Sequence, residues 1–163
     1  QHALDQLMTT DRLAMLAAGV VHATLLAGAG VDRLGQNGIG VAMAIETTLP
    51  APSQGAVGIE TLAGNDPVLE ALGAINHRDT FDAVMLERAV LKGLGGTCHS
   101  PIAALAVVEG DALHLSAEII SPDGTETVRE EARLARGDLA GGAAVGCALL
   151  ERASPALRSL FEG

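Results

Sequence analysis

The run Leu94-Gly95-Gly96-Thr97-Cys98-His99-Ser100-Pro101-Ile102-Ala103 sets one thiol between a helix-like and a strand-like segment. Two glycines can take positive φ without a Cβ clash and Pro101 ends the preceding segment, so the spacing predicts a constrained, exposed loop around Cys98. A thiol so placed is within reach of a reactant. A free thiol has a pKa of about 8.5, and a protonated His99 beside it would favour the nucleophilic thiolate. Plainer readings stand beside these: a lone cysteine is more often a small buried hydrophobe, and a loop histidine is more often simply solvated. An acyl-transfer pair of Cys98 and His99 is disfavoured, because adjacent side chains rarely aim at each other and no third orienting group is visible.

The other cysteine, Cys147, lies between Gly146 and Ala148 in an apolar run and is expected to be a buried packing residue. Two cysteines in unlike contexts make neither a disulfide framework nor a cysteine-based zinc site, and fit a reducing cytosol. The five histidines show no HxxxH or HExxH spacing, so no metal site is expected. A formal charge of −10 repels polyanions, and with two Phe as the only aromatics there are no base-stacking surfaces, which argues against nucleic acid or an anionic membrane as partner. No apolar run is long enough to span a bilayer and no basic-then-apolar leader opens the chain, so a soluble, cytoplasmic protein is expected. The first residue is Gln, which predicts a fragment or a processed product.

The elements that must position the loop follow from periodicity and turn chemistry. A helix is predicted from Thr10 to about Ala18, closed by Gly19, then a strand at Val20–Ala27 covered on both faces. Gly28-Ala29-Gly30 turns into a brief helix stopped at Gly35, and Gln36–Pro52 reads as a connector with an extended Leu49-Pro50-Ala51-Pro52. Ala56–Glu60 reads as a short strand, Asp66-Pro67 opens a helix, and Asp79-Thr80 opens another that is apolar on most sides and therefore wedged between neighbours. Its Glu87 and Arg88 read as a pair serving structure. Beyond Pro101 the period changes to two. Ala103–Val108, Ala112–Ile120 and Thr125–Leu134, joined by Glu109-Gly110-Asp111 and Ser121-Pro122-Asp123-Gly124, form an antiparallel meander with a solvated face or edge at the charged third run. Asp138–Phe161 supplies one or two helices, broken near Ser154-Pro155, that cover the other face. The organisation is thus α/β plus α+β: residues 1–75 an incomplete α/β portion, residues 76–163 a C-terminal α+β domain carrying the cysteine loop.

Taken together, Leu49-Pro50-Ala51-Pro52-Ser53-Gln54-Gly55-Ala56-Val57-Gly58-Ile59-Glu60, Leu86-Glu87-Arg88-Ala89, Gly95–Ala104 and Ser121-Pro122-Asp123-Gly124, with Ala29-Gly30-Val31-Asp32-Arg33-Leu34-Gly35 before them, resemble the hydroxymethylbilane synthase (porphobilinogen deaminase) family in order and spacing. The resemblance implies a transferase of porphyrin, tetrapyrrole and heme biosynthesis that condenses four porphobilinogens head to tail with loss of ammonia. It implies a partial periplasmic-binding-protein-like α/β segment ahead of the three-stranded domain, and a monomer. Cys98 is the implied thioether anchor of a dipyrromethane cofactor. Arg33 and Arg12 match carboxylate-binding positions, and Gly55 and Gly96 belong to the two glycine motifs of the site. Arginine suits such carboxylates by its bidentate fork. The chain departs from the family pattern at Gln6–Asp11, where an Arg-Gly-Asn-x-x-Thr run is usual, at His22, where Asp is common, and at Ser53, which replaces a glycine. The family's catalytic aspartate has no counterpart here, so no catalytic residue is assigned in this chain. A missing N-terminal domain is the expected partner besides porphobilinogen and the growing polypyrrole, and the isolated chain is expected to be inactive. The alternative is a non-catalytic interaction or structural module derived from that family.

Overall fold

A computed structural model describes residues 2–36, 38–45, 47–97 and 99–161, with the helix alone given for residues 2–9. It divides into two compact units, residues 1–44 and 45–163.

The first unit holds α1 (His2–Ala17) and α2 (Gly28–Arg33). Both end in the same way. After α1 the amides of Gly19 and Val20 return to the carbonyls of Leu16 and Met15; after α2 those of Gly35 and Gln36 return to Asp32 and Val31, with Gly19 and Gly35 at φ of 70° and 63°. This left-handed closure satisfies the last carbonyls of a helix and favours glycine. Val20–Ala27 is not a strand: it has no strand partner among the described residues, and Val20 and Leu25 are 66% and 72% exposed. An apolar run can be buried, but a strand also needs a partner for its amides and carbonyls.

In the second unit, α3 (Asp66–Gly73) has Pro67 in its first turn, as the Asp66-Pro67 signal predicts. Ala56–Glu60 has no strand partner among the described residues, with Val57 and Ile59 exposed, instead of forming the expected short strand. α4 (Arg78–Gly93) starts one residue before the predicted Asp79, because the His77 ring accepts the Thr80 amide as N-cap. Then come β1 (Ile102–Glu109), β2 (Ala112–Ile120) and β3 (Thr127–Ala135), an antiparallel sheet in the order β1-β2-β3, with Gly110 and Gly124 in the two turns at positive φ. α5 (Leu139–Arg152) and α6 (Pro155–Arg158) close the chain, capped by Asp138 and Ser154.

Period two divides the sheet cleanly. Ala104, Ala106, Leu113, Leu115, Ala117, Ile119 and Val128 share the face that packs on Leu86, Val90 and Leu94 of α4 and its end, and on Val145 and Leu149 of α5. The opposite face carries Val107, His114, Arg129 and Glu131, which with Ile45 and Leu49 line an open groove. α4 and α5 pack at glycine distance: a Cβ on Gly93 would lie 2.1 Å from the Ala143 carbonyl oxygen, and one on Gly146 2.4 Å from that of Val90. Cys147 is exposed, contrary to expectation, and its Sγ lies 3.5 Å from the Gly93 carbonyl oxygen. The buried stripe of α5 is Gly142, Val145, Gly146 and Leu149, and the next position along the helix turns about 100° away from it.

Candidate functional site

The loop that follows α4 is fixed at both ends. Leu94 is buried, and the amides of Gly95 and Gly96 return to the carbonyls of Lys92 and Leu91 with Gly95 at φ of 66°, so the helix stops in one defined turn. Beyond it the Thr97 amide donates to Ser100 Oγ at 2.9 Å, the Ser100 amide to the Thr97 carbonyl at 3.1 Å, and the His99 amide to Thr97 Oγ1 at 3.3 Å. The Ile102 and Ile120 amides then take up the carbonyls of Ser100 and Pro101 and lead into the sheet. Gly95, Thr97 and His99 are exposed. A Cβ at Gly96 would meet Leu91 Cδ1 at 2.9 Å and Ser100 Oγ at 3.1 Å, so those side chains would have to give way to a larger residue. Cys98 itself lies outside the described residues.

Gly55 belongs to a second turn in the same unit. It has φ of 78°, and Ser53 before it has φ of 66°, the one non-glycine at positive φ among the described residues. The Ser53 amide donates to Glu87 Oε2 at 2.6 Å, and the other carboxylate oxygen, Oε1, accepts the Ala106 amide at 3.0 Å. Three residues before Ser53, the Pro50 carbonyl accepts the Ala104 amide at 3.0 Å. Pro50 and Glu87 therefore cover two outward-facing amides of β1, those of Ala104 and Ala106, at the open edge of the sheet. Glu87 is 5% exposed, and burial pushes its carboxyl above the ordinary glutamate range against the pull of its two amide donors.

Arg12 and Arg33 lie in the first unit. Both are exposed; Arg12 donates through Nη1 to the Leu25 carbonyl at 3.1 Å, whereas Arg33, in the last turn of α2, has no hydrogen bond or ion pair among the described residues. Within the second unit, α4 links the two glycine turns: Glu87 holds one and the helix end forms the other. Sequence reasoning assigned Glu87 only a structural charge pair with Arg88. Its true partners are backbone amides, which carry no signature in the sequence.

Several other arginines of the second unit are engaged with carboxylates. Arg136 joins Asp82 at 2.7 Å and also Asp79, Arg78 joins Asp82 at 3.0 Å, and Arg152 pairs with Glu130. Among the described residues no cluster of three or more His, Cys, Asp or Glu could hold a metal ion. No helix among them is long and apolar enough to cross a membrane.

Two family models match the chain in succession. Residues 8–70 match the porphobilinogen deaminase dipyromethane cofactor binding domain, and residues 81–154 match the porphobilinogen deaminase C-terminal domain. Arg12, Arg33 and Gly55 fall in the first stretch, Gly96 and Cys98 in the second. The porphobilinogen deaminase of Sphingopyxis alaskensis is 48% identical over 151 residues, which cover 92% of this chain and 47% of that protein. That of Paracoccus denitrificans is 43% identical over 141 residues, covering 86% and 44%. The chain thus spans about half the length of the curated relatives it matches. With both domain models met in order and these identities across most of its length, the chain belongs to the porphobilinogen deaminase family.

Proposed function

We propose that this chain forms the cofactor-anchoring portion of a hydroxymethylbilane synthase, which condenses four porphobilinogen molecules head to tail into hydroxymethylbilane with loss of ammonia. The observation that carries the reading is the position of the glycine-cysteine loop: it follows a matched cofactor-binding stretch and lies inside the matched C-terminal domain. The residues on either side of Cys98 suit a covalent group, because Thr97 and His99 are exposed while the hydrogen bonds of Ser100 and Gly96 keep the loop's path fixed. Cys98 supplies the thioether sulfur: the S–C bond forms at the aminomethyl carbon of a porphobilinogen as its C–N bond breaks, and the thiol proton leaves with the amine as ammonia. When bound, the dipyrromethane supplies the pyrrole carbon at which the chain is primed. By holding the product covalently, Cys98 substitutes effective concentration for repeated binding.

Arg33, and Arg12 once released from the Leu25 carbonyl, bind the acetate and propionate groups of the pyrroles, for which a guanidinium offers two parallel donors. Gly55 and Gly96 keep the backbone of the two turns open to close approach. No acid–base catalyst is assigned within residues 1–163, and an N-terminal domain of the family's kind is the expected partner for that work. The same reading makes residues 1–75 part of a periplasmic-binding-protein-like α/β arrangement, residues 76–163 the C-terminal domain, and the protein a cytoplasmic monomer. The departures at Gln6–Asp11, His22 and Ser53 favour a second reading, a non-catalytic module derived from the family. Porphobilinogen given to the protein that carries this chain separates the two. Ammonia and hydroxymethylbilane appearing with the native sequence, and lost in Cys98→Ser, support the enzyme; no turnover with the native sequence supports the module.

A further inference from the structure

Glu87 is a buried carboxylate that the reading above does not use. Its two oxygens accept amides from separate segments, Ser53 in the turn that contains Gly55 and Ala106 in β1. No lysine or arginine is hydrogen bonded or ion-paired to it among the described residues, and its neighbour Arg88 is exposed. An ion without a counter-ion in such a place is costly unless its hydrogen bonds are needed. The bond to Ser53 holds that residue at φ of 66°, a left-handed conformation that an L residue keeps only when its surroundings demand it. Six residues further along the same helix, about 9 Å by its rise, α4 ends at Gly93, and past Leu94 the cysteine loop begins at Gly95.

We propose that Glu87 is a positioning residue that clamps the Ser53–Gly55 turn to α4 and β1, and so fixes this turn relative to the helix end from which the cysteine loop departs. The clamp stands on the hydrogen-bond geometry; its use in cofactor binding rests on the function proposed above. The apolar alternative at this position would leave both amides without acceptors, and a lysine or arginine would oppose them with further donors.

Amide hydrogen exchange on the 163-residue chain reads the clamp without depending on that function. In Glu87→Ala, exchange at Ser53 and Ala106 is expected to quicken about tenfold or more, the loss of one hydrogen bond each, while Leu115 in the central strand stays protected. Unchanged protection at the two amides, or an equal loss at Leu115, overturns the proposal. Glu87→Gln, which keeps one carbonyl acceptor and turns an NH2 toward the other amide, serves where the alanine variant does not fold. It is expected to deprotect one of the two amides and spare the other. A pH series supplies a readout that simple loss of packing would not move: the Ser53 and Ala106 amide shifts titrate together in the native protein, and this common titration vanishes in Glu87→Gln. Separate titrations, or one that persists in the variant, contradict the clamp. Native amides behaving as stated, together with a bare Cys98 in the protein freshly isolated with its natural flanking sequence, would sink the proposed function and leave the clamp standing.

Discussion

Gly19 in the first compact unit and Gly95 in the second close their helices by the same left-handed turn with the same pair of returning amides. What surrounds them differs. Among the described residues 10–44 no side chain is buried, and Leu25 and Val41 are 72% and 93% exposed, whereas in residues 45–163 Leu113, Leu115, Ile119 and Leu149 are fully buried. Local chemistry is therefore enough to start and stop a helix in either unit, but burial requires a second apolar surface of matching shape. The meander and its two covering helices supply that surface in the second unit.

Substitutions sharpen the contrast in order of size. Leu113→Ala is expected to remove about 2–5 kcal/mol from the second unit, read as a lowered urea midpoint, because it opens a cavity under both helices. Leu25→Ala in the first unit should change stability by less than about 0.5 kcal/mol. Equal effects would erase the distinction between the units. Gly93→Ala should cost roughly 3 kcal/mol despite the better helix propensity of alanine, since its Cβ meets backbone at 2.1 Å and α4 must move off α5. Gly28→Ala in the first unit, with nothing within 4 Å, is its control and should be near neutral. A neutral Gly93→Ala would mean that α4 and α5 slide without loss.

The carboxylates of the second unit give it opposed pH limbs. Arg136, hydrogen bonded to Asp82, holds that carboxyl below the ordinary aspartate range, and the Ser154 hydroxyl and amide do the same for Glu126. Their contribution is present above the unfolded carboxylate range and is lost as pH falls through the lowered folded values. Glu87 acts oppositely. Its folded value is raised, so the folded state holds the proton longer, and stability drops as pH rises from about 4.5 through that value. The stability of the native chain relative to Glu87→Gln should therefore decline over that range and then level off. A flat difference would place Glu87 in water. A modest gain is expected at Ser53: glycine relieves the positive φ but enlarges the unfolded ensemble, for a net of about 0.5–1 kcal/mol in Ser53→Gly.

Much of the second unit is legible in its sequence because the signals are local. Period two over three runs and two glycine turns give the meander, Asp138 and Ser154 mark their helices, and the glycines after Leu94 mark the end of α4. Readings fail where the answer lies in another segment. Val20–Ala27 is apolar enough for a strand but has no strand partner among the described residues, and Cys147 sits among glycines and alanines whose pattern hides which side of α5 is buried. The His77 cap is missed because histidine is a rare acceptor there. Within the candidate site, the cysteine loop is readable from its glycines and proline, whereas Glu87 takes its role from two backbone amides far away in sequence.

Peptide mapping by mass spectrometry on the chain, produced with its natural flanking sequence in cells that make porphobilinogen, tests the central claim most directly. The account predicts that the Cys98 peptide carries added mass equal to two porphobilinogens less two ammonia molecules, retained in Cys147→Ser and absent in Cys98→Ser. An unmodified Cys98 in the freshly isolated protein, or an adduct found on Cys147, would contradict it.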